Sequence, residues 1–150
     1  MTRPLWTCPS CGRTFANRNQ THTCAPLGSL DAHFAGRAPH VRATFDAVLA
    51  EVTALGPVSV LPERTRIALH ARMSFAAFVP RARWLDGHLV LARAIEHARF
   101  RRIERFSAHN VLHAFRLSAP ADVDAEFAGW LAEAYAVGRQ RHRSPPGDLR

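Results

Sequence analysis

All three cysteines of this 150-residue chain lie within its first 24 residues, together with one histidine. The pattern is Cys8-x2-Cys11-x10-His22-x-Cys24. Three thiolates and one imidazole form a complete tetrahedral ligand set for Zn2+ and leave no coordination position for water, which indicates a structural rather than a catalytic site. A segment this small has little hydrophobic core, so we expect folding of this zinc finger, residues 1–26, to depend on the metal.

The Cys8–Cys11 pair also admits a redox interpretation, in which His22 and Cys24 are incidental. Redox Cys-x-x-Cys pairs normally begin a helix within an α/β pattern, whereas both flanks here are short and polar. Glycine at position 12 instead lets backbone N–H groups approach the sulfur atoms without a side-chain clash. The closed ligand count therefore favours zinc.

No stretch of the sequence is long and apolar enough for a membrane span, and its opening residues lack the apolar region of a signal peptide. We therefore expect a cytoplasmic protein that does not act at a membrane. In that reducing compartment, clustered cysteines bind metal more often than they form disulfides.

Helical spacing of apolar residues appears on both sides of the middle of the chain. Ser29 can cap a helix that begins near Leu30, and Pro39 can begin a second helix that ends at Gly56. A third helix is predicted over residues 120–137, because apolar residues recur there every three or four positions.

Alternating apolar residues between these helices predict strands, which lie in three stretches: 58–79, 88–92 and 111–115. Asp86-Gly87 is predicted to be a turn, and the Arg-rich residues 95–106 a short helix or an irregular connection. Strands that cluster in sequence, with helices at both ends, predict an α+β fold with an antiparallel sheet flanked by helices. The predicted domains are a zinc finger at 1–26, an α+β domain at 29–138 and a disordered basic tail at 139–150.

The chain carries 20 basic residues, all of them arginine, and a net charge of +8. Without lysine it can form no Schiff base and has no Walker-type phosphate lysine. Segment 58–118 holds eleven arginines against four acidic residues. Such a segment attracts a polyanion, although an arginine- and alanine-rich composition alone would also produce it.

The densest group of arginines is predicted to bind anions, since guanidinium groups hold phosphate or carboxylate through paired hydrogen bonds. The alternative is a structural role, in which these arginines pair with Glu96, Glu104 and the acidic last helix. The predicted anion-binding residues are Arg81, Arg83, Arg93, Arg99, Arg101, Arg102 and Arg105.

A small-ligand pocket is the competing hypothesis, built from Arg66, Arg72, His109 and His113. The last two are expected to share one face of a strand. The sequence shows no Ser-His-Asp order, no Gly-rich phosphate loop and no paired carboxylates, so no catalytic residue is predicted.

These features predict a zinc-binding protein that acts by binding, with nucleic acid or another polyanion as its partner. One alternative is a small-ligand-binding domain or enzyme with an Arg/His-lined pocket. Another is an adaptor whose finger docks a protein partner.

Several short stretches are similar to a known family, and together they span nearly the whole chain. They are Trp6–Phe15, Asn19–Cys24, Leu55–Val58, Thr65–Ala68, Arg72 with Phe75-Ala76, and Trp130–Gly138. On these residues the chain resembles the bacterial family called domain of unknown function 5655 (DUF5655), with an N-terminal CCHC-type zinc finger. The resemblance implies a compact α+β domain. It brings no established activity and therefore implies no catalytic residue.

Overall fold

The computed structural model describes residues 3–22 and 24–141. Most of the predicted disordered tail, from residue 142 onward, lies outside these residues. Every helix in the described part of the chain is too short or too polar to span a bilayer.

The described residues form a small finger followed by helices around a larger sheet. The finger contains a two-stranded antiparallel sheet, β1 (Trp6–Thr7) and β2 (Thr14–Phe15). The helices are α1 (Leu30–Phe34), α2 (Pro39–Leu55) and α3 (Ala125–Gly138). The remaining strands are β3 (Ser59–Pro62), β4 (Ile67–His70), β5 (Ser74–Pro80), β6 (Leu85–Leu91), β7 (Arg102–Ser107) and β8 (Asn110–Leu117). They pair antiparallel in the order β3-β4-β5-β6-β8-β7, which confirms the predicted α+β fold.

The helices pack on one face of the six-stranded sheet, which we call the inner face. Helix α2 begins at Pro39 as predicted, and its stripe of fully buried residues is Val41, Phe45, Val48 and Val52. Alternate residues of the strands β4, β5, β6 and β8 meet them, as the two-residue period of a strand requires. On β6 these inward-facing residues are Leu85, Leu89 and Leu91.

The last helix begins at Ala125, later than predicted. Residues 120–122 form a separate 3-10 turn, and the Asp124 side chain then accepts a hydrogen bond from the Phe127 N–H at 2.9 Å. That carboxylate caps the first turn of α3 and so fixes where the helix starts. Ser29 stands at the corresponding position of α1, but its side chain makes no capping hydrogen bond.

The predicted turn at Asp86-Gly87 is wrong, because both residues lie inside β6. The turn between β5 and β6 instead spans residues 81–84. A Cβ at position 87 would come within 2.8 Å of the Ala77 carbonyl oxygen and of the Phe78 ring. Glycine is therefore required by close packing in the strand and not by a turn conformation.

The prediction for residues 95–106 missed a strand. An irregular connection ends at Arg101, and β7 follows as the edge strand paired with β8. An edge strand is open to solvent, so the polar residues Arg102 and Glu104 replace the apolar alternation that marks a buried strand.

The second face of the sheet, the outer face, has no helix packed on it among the described residues. The finger covers the part of it formed by β3 and β4, where the Phe15 ring meets the edge of the His70 ring at 6.1 Å. The described residues leave the outer face uncovered from β5 to β7, and two depressions lie on this side of the sheet.

Candidate metal centre and arginine cleft

The four predicted metal ligands converge, with donor atoms that all lie within 4.8 Å of one another. The Cys8 and Cys24 Sγ atoms are 3.7 Å apart, and His22 Nε2 lies 3.4 Å from Cys11 Sγ and 3.5 Å from Cys24 Sγ. A tetrahedral zinc ion with bonds of about 2.3 Å to sulfur and about 2.0 Å to nitrogen separates two sulfur atoms by about 3.8 Å and sulfur from nitrogen by about 3.5 Å. The observed separations fit this geometry, so these residues can hold one metal ion.

Backbone hydrogen bonds prearrange the ligand loop. The Cys8 N–H donates to the Arg13 carbonyl oxygen and the Gly12 N–H donates to the Cys8 carbonyl oxygen, each at 2.8 Å. Gly12 has a φ of 77°, in the left-handed region that favours glycine. His22 Nδ1 lies 2.6 Å from the Gln20 carbonyl oxygen, which makes Nδ1 the donor and leaves Nε2 available for a metal.

Without a cation, the sulfur atoms cannot all ionise together. The backbone N–H groups of Cys11 and Ser10 lower the pKa of the Cys8 thiol to about 6. The pKa of Cys24 is raised to about 11, chiefly by its hydrogen bond to the Cys8 sulfur. A metal ion would replace these shared protons, so that all the sulfur atoms could be ionised at once.

Phe15 links the metal centre to the sheet. Its ring lies 4.3 Å from the His22 ring on one side and 6.1 Å from the His70 ring on the other. Phe15 is also 8% exposed, although the finger is small. The side chain therefore packs His22, one of the candidate metal ligands, against the outer face.

Glu63, in the turn between β3 and β4, holds the finger to the sheet through an ion pair. Its two carboxylate oxygens accept hydrogen bonds from Arg13 of the finger at 2.8 Å and from Arg66 at 2.9 Å. Burial raises the pKa of Glu63, but the hydrogen bonds and charges of Arg66 and Arg13 outweigh it and hold that pKa below its usual value. The carboxylate is thus an ionised bridge between the finger and the sheet.

The seven predicted anion-binding arginines do not form one surface, and several are paired with acids. Arg93 and Arg99 lie against α3, as the structural alternative predicts. Arg105 lies on the inner side of β7, and Arg83 lies in the turn between β5 and β6. The ion pairs are Arg81–Asp86 at 3.0 Å, Arg93–Glu133 at 3.0 Å, Arg99–Asp124 at 3.0 Å and Arg102–Glu104 at 2.8 Å. The anion-binding role of the set stays a prediction.

Three of the seven do converge on the uncovered outer face, where they line a cleft of about 470 Å³ with two further arginines. The arginine cleft, as we call it, is formed by Arg66, Arg81, Arg101, Arg102 and Arg116. Asp86 is the one acid in its described lining and accepts hydrogen bonds from Arg81 at 3.0 Å and Arg116 at 2.8 Å. Two further acids outside this lining, Glu63 and Glu104, pair with Arg66 at 2.9 Å and Arg102 at 2.8 Å, so five arginines against three carboxylates leave the cleft an excess of about two positive charges.

Two members of this cleft, Arg116 and His88, are not among the residues predicted from the sequence. Arg116 lies two residues after the outward-facing Ala114 on β8 and therefore points to the same face, so the alternation of that strand could have revealed it. His88 lies across from Ala77 and Ala114, whose small side chains leave its ring at the floor of the cleft.

His88 is held neutral by its surroundings. Burial lowers its pKa, and the charges of Arg66 and Arg102 lower it further, to about 4. At neutral pH the floor of the cleft is consequently an uncharged imidazole that can donate one hydrogen bond and accept another.

The residues of the predicted small-ligand pocket are only partly brought together. Arg66 and Arg72 line a second cavity of about 460 Å³ between the finger and the sheet. The expectation that His109 and His113 share a strand face is wrong, because β8 starts at Asn110 and His109 lies in the preceding turn.

His113 has a structural role inside the core. It is fully buried, its Nδ1 donates to the Val111 carbonyl oxygen at 2.9 Å, and its Nε2 accepts from the Ile95 N–H at 2.9 Å. These bonds satisfy both ring nitrogens and tie the irregular connection before β7 to the sheet.

Residues 30–138 match a family described as a domain of unknown function, DUF5655. The chain belongs to the DUF5655 family. This match confirms the resemblance found in the sequence, although it begins at Leu30 and so leaves the finger outside. No curated protein and no solved structure matches the chain.

The boundary of the DUF5655 domain separates the two candidate sites. All five arginines of the cleft and His88 lie within residues 30–138, whereas the metal ligands precede them. The finger is therefore an addition to the DUF5655 domain that covers part of its outer face and leaves the arginine cleft open.

Proposed function

We propose that this protein binds single-stranded nucleic acid through the arginine cleft. The observation that carries the proposal is the convergence of five arginines on a sheet face that the helices of the described residues leave uncovered, where their charge exceeds that of the three acids paired with them. Guanidinium groups match phosphate oxygens in geometry and charge, and phosphate contacts supply most of the affinity of sequence-independent binding.

We assign zinc to the metal centre. Three sulfur donors and one imidazole are the ligand set that zinc prefers, and four protein ligands make the site structural. The ion would supply no chemistry to bound nucleic acid. Its role in the proposal is to keep Phe15 and Arg13 seated on the outer face, beside the cleft.

A neighbouring aromatic residue favours a single strand over a duplex. Trp84 is 36% exposed, and the guanidinium of Arg116 lies 4.2 Å from the centre of its ring. Unpaired bases stack on exposed aromatic rings, whereas the bases of a duplex are already stacked on each other. Trp84 and Arg116 thus offer a stacking position at the side of the cleft.

The salt dependence of binding to a labelled oligonucleotide tests the proposal. If all five arginines contact phosphates of a single strand, the logarithm of the association constant should fall with the logarithm of salt concentration with a slope of about −3.5. Arg102→Gln removes one contact, so we expect weaker binding and a slope about 0.7 less steep.

Arg105→Gln is the matched control, since Arg105 lies on the same strand but on the opposite side of the sheet. We expect this variant to bind like the unmodified protein. An absence of binding at low salt, an equal loss in both variants, or tighter binding to a duplex of the same charge would each contradict the proposal.

A further inference from the structure

The cavity between the finger and the sheet has the form of a small-ligand site. Its volume is about 460 Å³, within the range of about 300–1,000 Å³ typical of such sites. One wall is supplied by Arg13 and Phe15 of the finger, and the other by Arg66, Arg72 and Met73 of the domain. A ligand bound there would touch both parts of the chain.

Positive charge is in excess around this cavity. The charged residues of its described lining, apart from histidine, are Arg13, Arg64, Arg66, Arg72 and Glu63, which gives four positive charges and one negative charge. The carboxylate already accepts hydrogen bonds from two of these arginines. A net charge of about +3 suits a dianion better than a single carboxylate.

Arg72 is the cation whose observed partners leave its charge uncompensated. Its Nε donates to the Gln140 side-chain oxygen at 2.9 Å, and one of its terminal N–H groups donates to the Arg3 carbonyl oxygen. Both acceptors are neutral. These bonds hold the guanidinium at the cavity without cancelling its charge, which is a common way to build an anion site.

The rest of the lining suits the organic body of a ligand. Phe15 and Met73 provide an apolar surface. His70, 6% exposed, also lines the cavity, and its Nδ1 lies 3.2 Å from Ser74 Oγ.

From these contacts we infer that the cavity binds a small phosphate monoester with an organic body of about nucleotide size. This inference goes beyond the proposed function of the arginine cleft. Such a phosphate can come from a free nucleotide or from the phosphorylated end of a nucleic-acid strand. Arg66 lines both the cavity and the cleft, so a strand held in the cleft could place its end here.

Isothermal titration calorimetry of the zinc-loaded full chain tests the inference with four probes. Adenosine monophosphate should bind saturably, whereas adenosine and inorganic phosphate should bind at least tenfold more weakly, because each lacks half of the recognised groups. A short oligonucleotide is then compared with and without a terminal phosphate. Stronger binding of the phosphorylated form identifies a strand end as the source, and equal binding identifies the free nucleotide.

Two variants locate the binding within the cavity. Arg72→Gln removes a charge-assisted hydrogen bond and should weaken adenosine monophosphate binding about tenfold or more. Arg64→Gln alters an exposed residue, so it tests the charge of the cavity even if the first variant folds poorly. Arg102→Gln, which changes only the cleft, should leave this binding within about twofold.

Three results would overturn the inference: no saturable binding of adenosine monophosphate, equal binding of adenosine, or unchanged binding in both Arg72→Gln and Arg64→Gln. Loss of oligonucleotide binding in Arg102→Gln with intact adenosine monophosphate binding would support the two sites as separate. The proposed function and this inference can therefore fail independently.

Discussion

A chelator that removes the metal ion we assign to this centre should unfold the finger while the DUF5655 domain keeps its fold. Among its described residues the finger has few buried apolar side chains, namely Cys8, Phe15 and Ala16, and none of these described residues belongs to the main hydrophobic core. Small zinc fingers gain about 10–16 kcal/mol from the metal at neutral pH, so no other interaction in this segment can replace it. Residues 30–138 bury their core without help from the metal.

Nuclear magnetic resonance spectra with and without a chelator provide the measurement. We expect signals of the finger to collapse to unfolded positions, and those of Phe45 and Leu131 in the core to persist. Cys11→Ser should reproduce the chelated state, whereas Ser10→Ala, the adjacent change that keeps every ligand, should retain the folded finger. A finger that stays folded after complete metal removal would refute the structural role of the site.

The metal centre could be predicted because the number, type and spacing of its ligands can be read directly from the sequence, without knowledge of the fold. Three cysteines and His22 fill a tetrahedron whatever the surrounding chain does, and the spacing places them in one short segment. Helix α2 could be predicted equally well, since Pro39 and Gly56 mark its two ends and its buried stripe follows the helical period.

The arginine cleft could not be predicted because it depends on strand register. Arg99 and Arg102 are three residues apart, yet the first pairs with Asp124 before α3 and the second lies on the outer face of β7. Gly87 illustrates the same difficulty, since a glycine after an aspartate usually signals a turn. Only the closeness of Phe78 shows that this one is required inside a strand.

The same strand geometry buries His88, and we expect it to make stability strongly pH-dependent. The pKa of His88 is lowered from 6.5 to about 4 in the folded chain, because burial and then the charges of Arg66 and Arg102 disfavour the imidazolium. Above pH 6.5 the folded and unfolded states are both neutral at this position, so the histidine has little effect. As pH falls from 6.5 towards 4, the unfolded state binds a proton at this histidine while the folded state stays neutral. The free energy of unfolding therefore falls by roughly 3 kcal/mol in total.

Urea unfolding of the zinc-loaded protein between about pH 7 and pH 5 measures most of this effect, about 2 kcal/mol, before carboxylates begin to protonate. His88→Gln should remove that component, so its stability should vary less over the same interval. Arg102→Gln should raise the pKa of His88 in a nuclear magnetic resonance titration, whereas Arg105→Gln, on the other side of the strand, should leave it unchanged. A pKa near 6.5 for His88 in the folded protein, or an unaltered pH dependence in His88→Gln, would show that the cleft does not exclude the charged imidazole.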